Sequence, residues 1–500
     1  MNDNVRTSVI VNLIRTITIT LVSFISFPFA AKALGDIGMG EYTFANTFVY
    51  YFLIIAKLGI PSIAIRECTK VRDDKAKLSA KVQEYFLLQL ITTLISFGFM
   101  LVLMYTVKGP LTEQRIQSLI FLLSLNFLVG AFSFEWLYIA LEKHFYIAFR
   151  SIITLTLTSI LIIIFVKSDR QIYLYALFTI STTIITSIIN MTQLKRHGIS
   201  LKPTTRFHLF ASIKPLLAVF AITVLVTMYN QADVLILGFL DPTKADVGSY
   251  SVGIKGIEIV ITIITSLSAV FIPRATHYYQ VENKVFFKNL TRYSINICLF
   301  IAIPAAITMI ILSKQITRFI AVDDNGYWTV ESLQNAAWAI IILASMVLTY
   351  SVSDIIYSQV LLPMKKEIIY LITMIFGVFL NLGLSLVFAL FVFVDSPMIG
   401  VALATIISDV LVLVIMVIAT RKYTFEALFN RNTAKLLLAG GMVALTTYGI
   451  LPLFESETAL NQIIYVLIID AIVYVSVLLL SKEKLVSSFL PSHTQAQENI

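Results

Sequence analysis

The chain has 500 residues, of which 58% are hydrophobic and 13% charged, with a formal net charge of +8 and a mean hydropathy of +0.88. Ordinary globular chains carry about 25% charged residues, so a soluble fold is excluded, and the charge that remains gathers in short blocks between long apolar runs. The positive balance does not require nucleic acid as a partner, because insertion topology already accounts for basic residues beside membrane segments.

A helix needs about 20 mainly apolar residues to cross the hydrocarbon core. Fourteen such segments follow one another, starting near residues 8, 41, 84, 117, 148, 172, 215, 248, 293, 334, 368, 398, 436 and 461. The first is long enough to span and lacks a cleavage-site pattern, so it is expected to stay in place. The runs are too long and too uniform for strands, and lipid makes each segment satisfy its own backbone. The expected fold is an all-α polytopic membrane protein. Cys68 falls in a basic loop and Cys298 in an apolar run, which makes a disulfide framework implausible.

Lysine and arginine set the orientation. With the N-terminus inside, Lys108, Arg115, Lys167, Arg170, Lys244, Lys314 and Arg318 are the only basic loop residues on the opposite face, and the remaining loops, including Arg6, 66 to 81 and 143 to 150, hold the rest. The positive-inside rule then places both termini in the cytoplasm and the protein in the cell membrane. Arg15, Lys32, Lys57 and Lys255 are left inside predicted helices.

Sliding the chain by 208 residues lays Gly40, Tyr42 and Arg66 on Gly248, Tyr250 and Arg274, and helices 1, 2 and 3 on helices 7, 8 and 9. An offset of six helices preserves orientation, so the repeat is parallel, with an axis along the membrane normal. The expected division is a six-helix bundle over 1–207, a second over 208–425, and a two-helix appendage with a tail over 426–500.

Several chemistries lack their motifs. There is no Gly-x-x-x-x-Gly-Lys-Ser/Thr loop, so no sign of ATP hydrolysis or of an ATPase subunit, and the five histidines never stand in His-Glu-x-x-His spacing. No metal, cofactor or enzyme activity is expected. The acidic pairs Asp73 with Asp74 and Asp323 with Asp324 read as solvated loop charge, because no nucleotide-binding domain surrounds them.

Across helices 1 and 2, the stretch Leu34, Gly35, Asp36, Ile37, Gly38, Met39, Gly40, Glu41, Tyr42, Thr43, Phe44, Ala45, followed by Lys57, Leu58, Gly59, Ile60, Arg66 and Glu67, resembles Wzx-type polysaccharide flippases of the multidrug/oligosaccharidyl-lipid/polysaccharide exporter superfamily. The sharp motif covers about residues 28 to 70; helix count, halves and the basic loop after helix 2 extend the likeness over the chain. The resemblance implies a pair of bundles that moves an undecaprenyl-pyrophosphate-linked oligosaccharide or a teichoic-type precursor to the outer leaflet by alternating access, for capsule or other surface glycan. It implies membrane lipids and a polysaccharide polymerase or other assembly proteins as partners. A multidrug or cation antiporter of the same superfamily and a membrane glycan polymerase are the competing readings.

Charged residues on membrane helices are functional candidates by default. Arg15 on helix 1 and Lys57 on helix 2 lie at equal depth and together suit a pyrophosphate; the competing account is that both snorkel to the interface. In related lipid II flippases the resemblance points to cavity cations on helices 1, 2 and 8, which here are Arg15, Lys57 and Lys255. Lys255 has Asp233 and Glu258 as potential ion-pair partners. Asp233, Glu258, Asp354, Asp409 and Asp470 compete as the group that couples to an ion. Lys32 with Glu41 forms a local pair or a gate. Asn12, Asn230 and Gln231 either face sugar hydroxyls or bond between helices. Gly35, Gly38 and Gly40 suit a tight turn with positive φ, and Pro28, Pro273 and Pro304 mark kinks.

Overall fold

The computed structural model describes residues 3–201, 213–322 and 326–483, with side chains from Val11 onward. Arg6, Asp323, Asp324, His208, Lys484 and His493 lie outside the described side chains. Every regular element among the described residues is helical, and thirteen helices are long and apolar enough to cross a membrane. The first of them, Val11–Lys70, has 60 residues, about three times what a bilayer needs. It divides at Gly35, where helix α1 (Asp3–Lys57) takes φ 72° and ψ −177°, a conformation that any side chain would penalise. The arms 3–34 and 36–57 supply the first two of the fourteen crossings. A second break, with Leu58 at φ 42° and Gly59 at φ 71°, leads into the short helix α2 (Ile60–Lys70). Cys68 therefore sits buried on a helix rather than in a loop, and both cysteines are free.

The chain forms two compact units, Met1–Gly248 and Ser249–Ile500. The first holds α3 (Lys75–Thr106), α4 (Gln114–Gly130), α5 (Glu135–Ala140), α6 (His144–Phe165), α7 (Ile172–Leu194), α8 (Ile213–Leu240) and the first turn of α9 (Ala245–Ala269). Helix α8, which the repeat counts with the second bundle, packs along α1 inside this unit. Lipid offers no hydrophobic drive between helices, so close approach of small residues does much of the packing. A Cβ on Gly40 would strike the Lys244 carbonyl, one on Gly248 the Asp36 carbonyl, and one on Gly238 the Phe44 ring. Only Gly35 of the three predicted turn glycines has positive φ; Gly38 and Gly40 are helical and serve close packing instead, Gly38 against the Asp169 carboxylate. The contact between Gly40 and Gly248 is reciprocal, since the 208-residue offset carries Asp36 onto Lys244 and Gly40 onto Gly248.

The second unit continues α9 and adds α10 (Ile272–Gln280), α11 (Lys284–Ile311), α12 (Ser313–Ala321), α13 (Val330–Leu343), α14 (Met346–Ile355), α15 (Glu367–Val387), α16 (Pro397–Ala419), α17 (Arg421–Leu428), α18 (Arg431–Ile450) and α19 (Ala459–Leu480). Pro28 and Pro304 lie inside helices as expected, but Pro273 opens α10 in its first turn, a position that costs no hydrogen bond. π-helical segments follow α14 and α15. The last two helices dock through a buried acid: Asp470 on α19 accepts from Thr447 on α18 at 2.8 Å and from Thr308 on α11 at 3.0 Å. Large apolar side chains such as Leu94, Ile95, Phe99 and Phe379 remain exposed, as suits a surface whose solvent is lipid.

Candidate functional site

The site begins with a helix that fails to run through. The segment expected as helix 4 stops at Gly130 and restarts as α5 at Glu135, with Phe134 buried in the left-handed region at φ 48° between them. Such a conformation costs a non-glycine residue about 1 to 3 kcal/mol and persists only where surroundings over-determine it. Here the Asn190 amide donates to the Ser133 carbonyl. Tyr138 donates to the Asn190 carbonyl at 2.5 Å, and Trp136 donates to Gln89 at 3.3 Å. Trp136, Leu137 and Tyr138 lie in an apolar core with Ile60, Cys68 and Tyr85 of α2 and α3. The result is a fixed position for Glu135.

Two guanidinium groups share that carboxylate, and a lysine stands within reach of its charge. Arg15 Nη1 lies 3.4 Å from Glu135 Oε1, Arg150 Nη2 lies 3.6 Å from the same oxygen, and Lys57 is within its electrostatic reach. Arg150 is a fixed wall: its side chain is 4% exposed, Nη1 donates to Asn190 Oδ1 at 2.5 Å, and its guanidinium sits 5.6 Å from the Tyr146 ring centroid. Arg15 is half-buried, while Lys57 closes the last turn of α1, where a cation also meets the negative end of the helix dipole, and stays exposed. The sequence reading grouped Arg15 with Lys57; it left Arg150 among loop charges and overlooked Glu135, although an acid some 20 residues into an apolar run was a visible signal.

A second charge cluster in the same unit surrounds Glu41, the residue expected to form a local pair or a gate with Lys32. Glu41, which is buried, forms an ion pair with Arg115, whose Nε lies 2.7 Å from its Oε2, and Arg115 also pairs with Asp169. Lys32 is half-buried. Lys244, read as a loop residue, is fully buried: its ammonium donates to the Asp241 and Pro242 carbonyls at 2.7 and 3.0 Å, lies 3.8 Å from Glu113, and faces the Phe44 ring at 6.0 Å. Asn12 and Asn230 are exposed and Gln231 half-buried; the Asn230 amide donates to the Val226 carbonyl one turn back at 2.9 Å, a local bond that leaves no need for a distant partner.

In the second unit Lys255 pairs with Glu258 at 2.7 Å along one face of α9. Asp409 is buried and Asp354 half-buried, and both lie within electrostatic reach of Tyr350. Asp233 of α8, also buried, acts electrostatically on Tyr51. Asp470 is committed to the threonines of the docking contact. No group of three or more metal-ligating side chains occurs among the described residues.

Known proteins resemble this chain in sequence and in fold. The profile of a family described as polysaccharide biosynthesis protein matches residues 5–279, and the MatE profile matches residues 218–387. A putative O-antigen transporter of Escherichia coli (strain K12) is 24% identical over 234 residues, 46% of this chain and 55% of that protein, so the match spans about half that relative's length. Among solved structures, the lipid II flippase MurJ in its inward closed conformation superposes with a TM-score of 0.73 at 16% identity, covering 97% of this chain and 98% of that one. A MATE structure in the bent conformation gives 0.53 at 14% identity over 85% and 97%, and the Vibrio cholerae MATE transporter VcmN in the bent form gives 0.52 at 12% over 84% and 99%. At these identities the structural likeness is one of fold.

Proposed function

We infer that this chain, which belongs to the polysaccharide biosynthesis protein family, is a multi-pass flippase that carries a lipid-linked oligosaccharide across the cell membrane by alternating access. The carrying observation is the ion pair of Arg15, on the first arm of α1, with Glu135, with Lys57 of the second arm feeling the same carboxylate's charge. Cations on membrane helices are costly, and a receptor for a pyrophosphate linkage explains why two remain accessible. The guanidinium of Arg15 offers a planar pair of donors and the ammonium of Lys57 a point charge. In the second unit, Lys255, paired with Glu258, is a further substrate-binding candidate.

The division into bundles over 1–207 and 208–425 with an appendage over 426–500 gains support from the reciprocal contact of Gly40 with Gly248 and from the docking of α18 and α19 through Asp470. Asp354 and Asp409 are the leading candidates for ion coupling, because both carboxylates act electrostatically on one residue, Tyr350; Asp233 and Glu258 are secondary. Glu41 with Arg115 and Asp169 is a gate, with Lys32 nearby in sequence. A synthase or polymerase of the same glycan is the expected partner. The polysaccharide family match and the accessible cations favour this reading over a cation antiporter, which would need an acidic cavity.

Deleting the protein should strand lipid-linked repeat units in the inner leaflet and remove surface glycan, and Arg15→Ala with Lys57→Ala should reproduce that loss at normal protein levels. Unchanged glycan with lowered resistance to cationic drugs would transfer the assignment to the antiporter.

A further inference from the structure

We propose that Glu135 is a resident counter-anion that occupies the phosphate position of the Arg15–Lys57 site and must yield it for substrate to bind. The inference rests on the reading of that site as a receptor for a prenyl pyrophosphate. Three features point to it. Oε1 of Glu135 is shared between Arg15 and Arg150 at 3.4 and 3.6 Å, both well beyond the 2.7 to 2.9 Å of a tight charge-assisted bond, so the carboxylate straddles its partners without being docked on either. Its side chain is 40% exposed, open enough for a competing anion to approach. Arg150, in contrast, is locked by Asn190 and Tyr146, so it keeps a hold on Glu135 when Arg15 and Lys57 turn to a ligand.

The device solves a problem that the cations create. Arg15 and Lys57 without an anion would be costly in a low-dielectric setting, and with a doubly charged pyrophosphate they would release it slowly. A tethered carboxylate neutralises them when the site is empty and competes for them when it is full. The apparent affinity is reduced by the fraction of time that Glu135 holds the site, and release is assisted by its return.

The test uses the purified full-length protein in detergent with geranylgeranyl pyrophosphate as probe, beside surface glycan measured in cells. Glu135→Gln, which keeps the shape and removes the charge, is expected to tighten probe binding about tenfold while lowering surface glycan, because release is impaired. Glu135→Asp, which keeps the charge on a shorter arm, should fall between it and the native protein, and serves if the glutamine variant is poorly folded. Arg15→Gln should weaken binding. If Glu135→Gln and Glu135→Asp bind the probe no more tightly than the native protein while Arg15→Gln weakens it, the counter-anion proposal fails and the site stands. If the native protein does not bind the probe, or Arg15→Gln binds as well as native, the site reading itself fails and takes the proposal with it.

Discussion

A methyl group at Gly40 or Gly248 has nowhere to go, because what it meets is a main-chain carbonyl, of Lys244 or of Asp36, and a helix backbone cannot turn aside as a side chain can. Gly40→Ala and Gly248→Ala should each cost about 1 to 3 kcal/mol, the usual range for overpacking. Gly98→Ala, on a helix where an added Cβ meets nothing within 4 Å, should be neutral or gain up to about 1 kcal/mol of helix propensity. Thermal unfolding in detergent separates the cases; equal melting of all three variants would refute the close-packing account. Arg150→Met makes a different prediction. It removes the buried guanidinium that links Glu135 to Asn190, so it should lower stability by about 1 to 3 kcal/mol, the usual cost of a lost buried charged hydrogen bond. Adding Asn190→Leu should then cost less than the sum of the single changes, a coupling that a double-mutant cycle reads. Sequence reasoning reached Arg15 and Lys57 because an unpaired cation in an apolar run is conspicuous. It missed Glu135 and Arg150 because their significance lies in a meeting between α5 and α6 and in a helix break after Gly130 whose left-handed residue, Phe134, is not a glycine.

Individual helices show how far local chemistry carries. The start of α3 is legible: Asp74 accepts from the Ala76 and Lys77 amides at 3.1 Å each, the ordinary work of an N-cap. The Lys77 amide, then the Lys77 ammonium, hold its carboxyl below the usual carboxylate range. Because the folded value is depressed, the cap's contribution is present above the unfolded value of about 3.9 and is lost as pH falls through the folded value. Hydrogen exchange over residues 71–79, corrected for intrinsic rates, should therefore quicken only at strongly acidic pH, and Asp74→Ala should quicken it at neutral pH; insensitivity to both would dismiss the cap. The break in α1 was expected as a three-glycine turn, yet one residue makes it. Gly35→Ala should cost about 1 to 3 kcal/mol for forcing a side chain into that backbone region, whereas in a three-glycine turn Gly38→Ala would cost the same for the same reason. At Gly38 the obstacle is the Asp169 carboxylate, so Asp169→Ala should relieve Gly38→Ala and leave Gly35→Ala unrelieved in the same melting assay.

At the scale of the molecule, the fourteen crossings were readable because each follows from length and hydropathy alone, and their starts needed only small shifts, as from 84 to Lys75 for α3. Packing was not readable in the same way. Arg115 on α4 pairs with Glu41 of α1 and with Asp169 beyond α6, partners separated along the chain by whole helices, and apolar periodicity carries no information about which helices meet. Orientation stands between these two cases, since it follows from the distribution of lysine and arginine and from no contact at all. The native cysteines are both buried, so single introduced cysteines can report it with little background labelling. Asp73, Lys108, Lys366 and Glu455 are exposed in the turns after α2, α3, α14 and α18. With the N-terminus inside, Lys108→Cys and Glu455→Cys should react with a membrane-impermeant maleimide on intact cells, and Asp73→Cys and Lys366→Cys only after permeabilisation. Lys108 and Glu455 also test the count between them, because only an even number of crossings leaves both on the same side. The basic stretch from Arg66 to Lys81 makes transfer of Asp73 to the outer face the least favourable arrangement on the positive-inside rule. Labelling of Asp73→Cys on intact cells would reverse the topology and, with it, put the Arg15–Lys57 site at the wrong mouth for loading substrate from the cytoplasm.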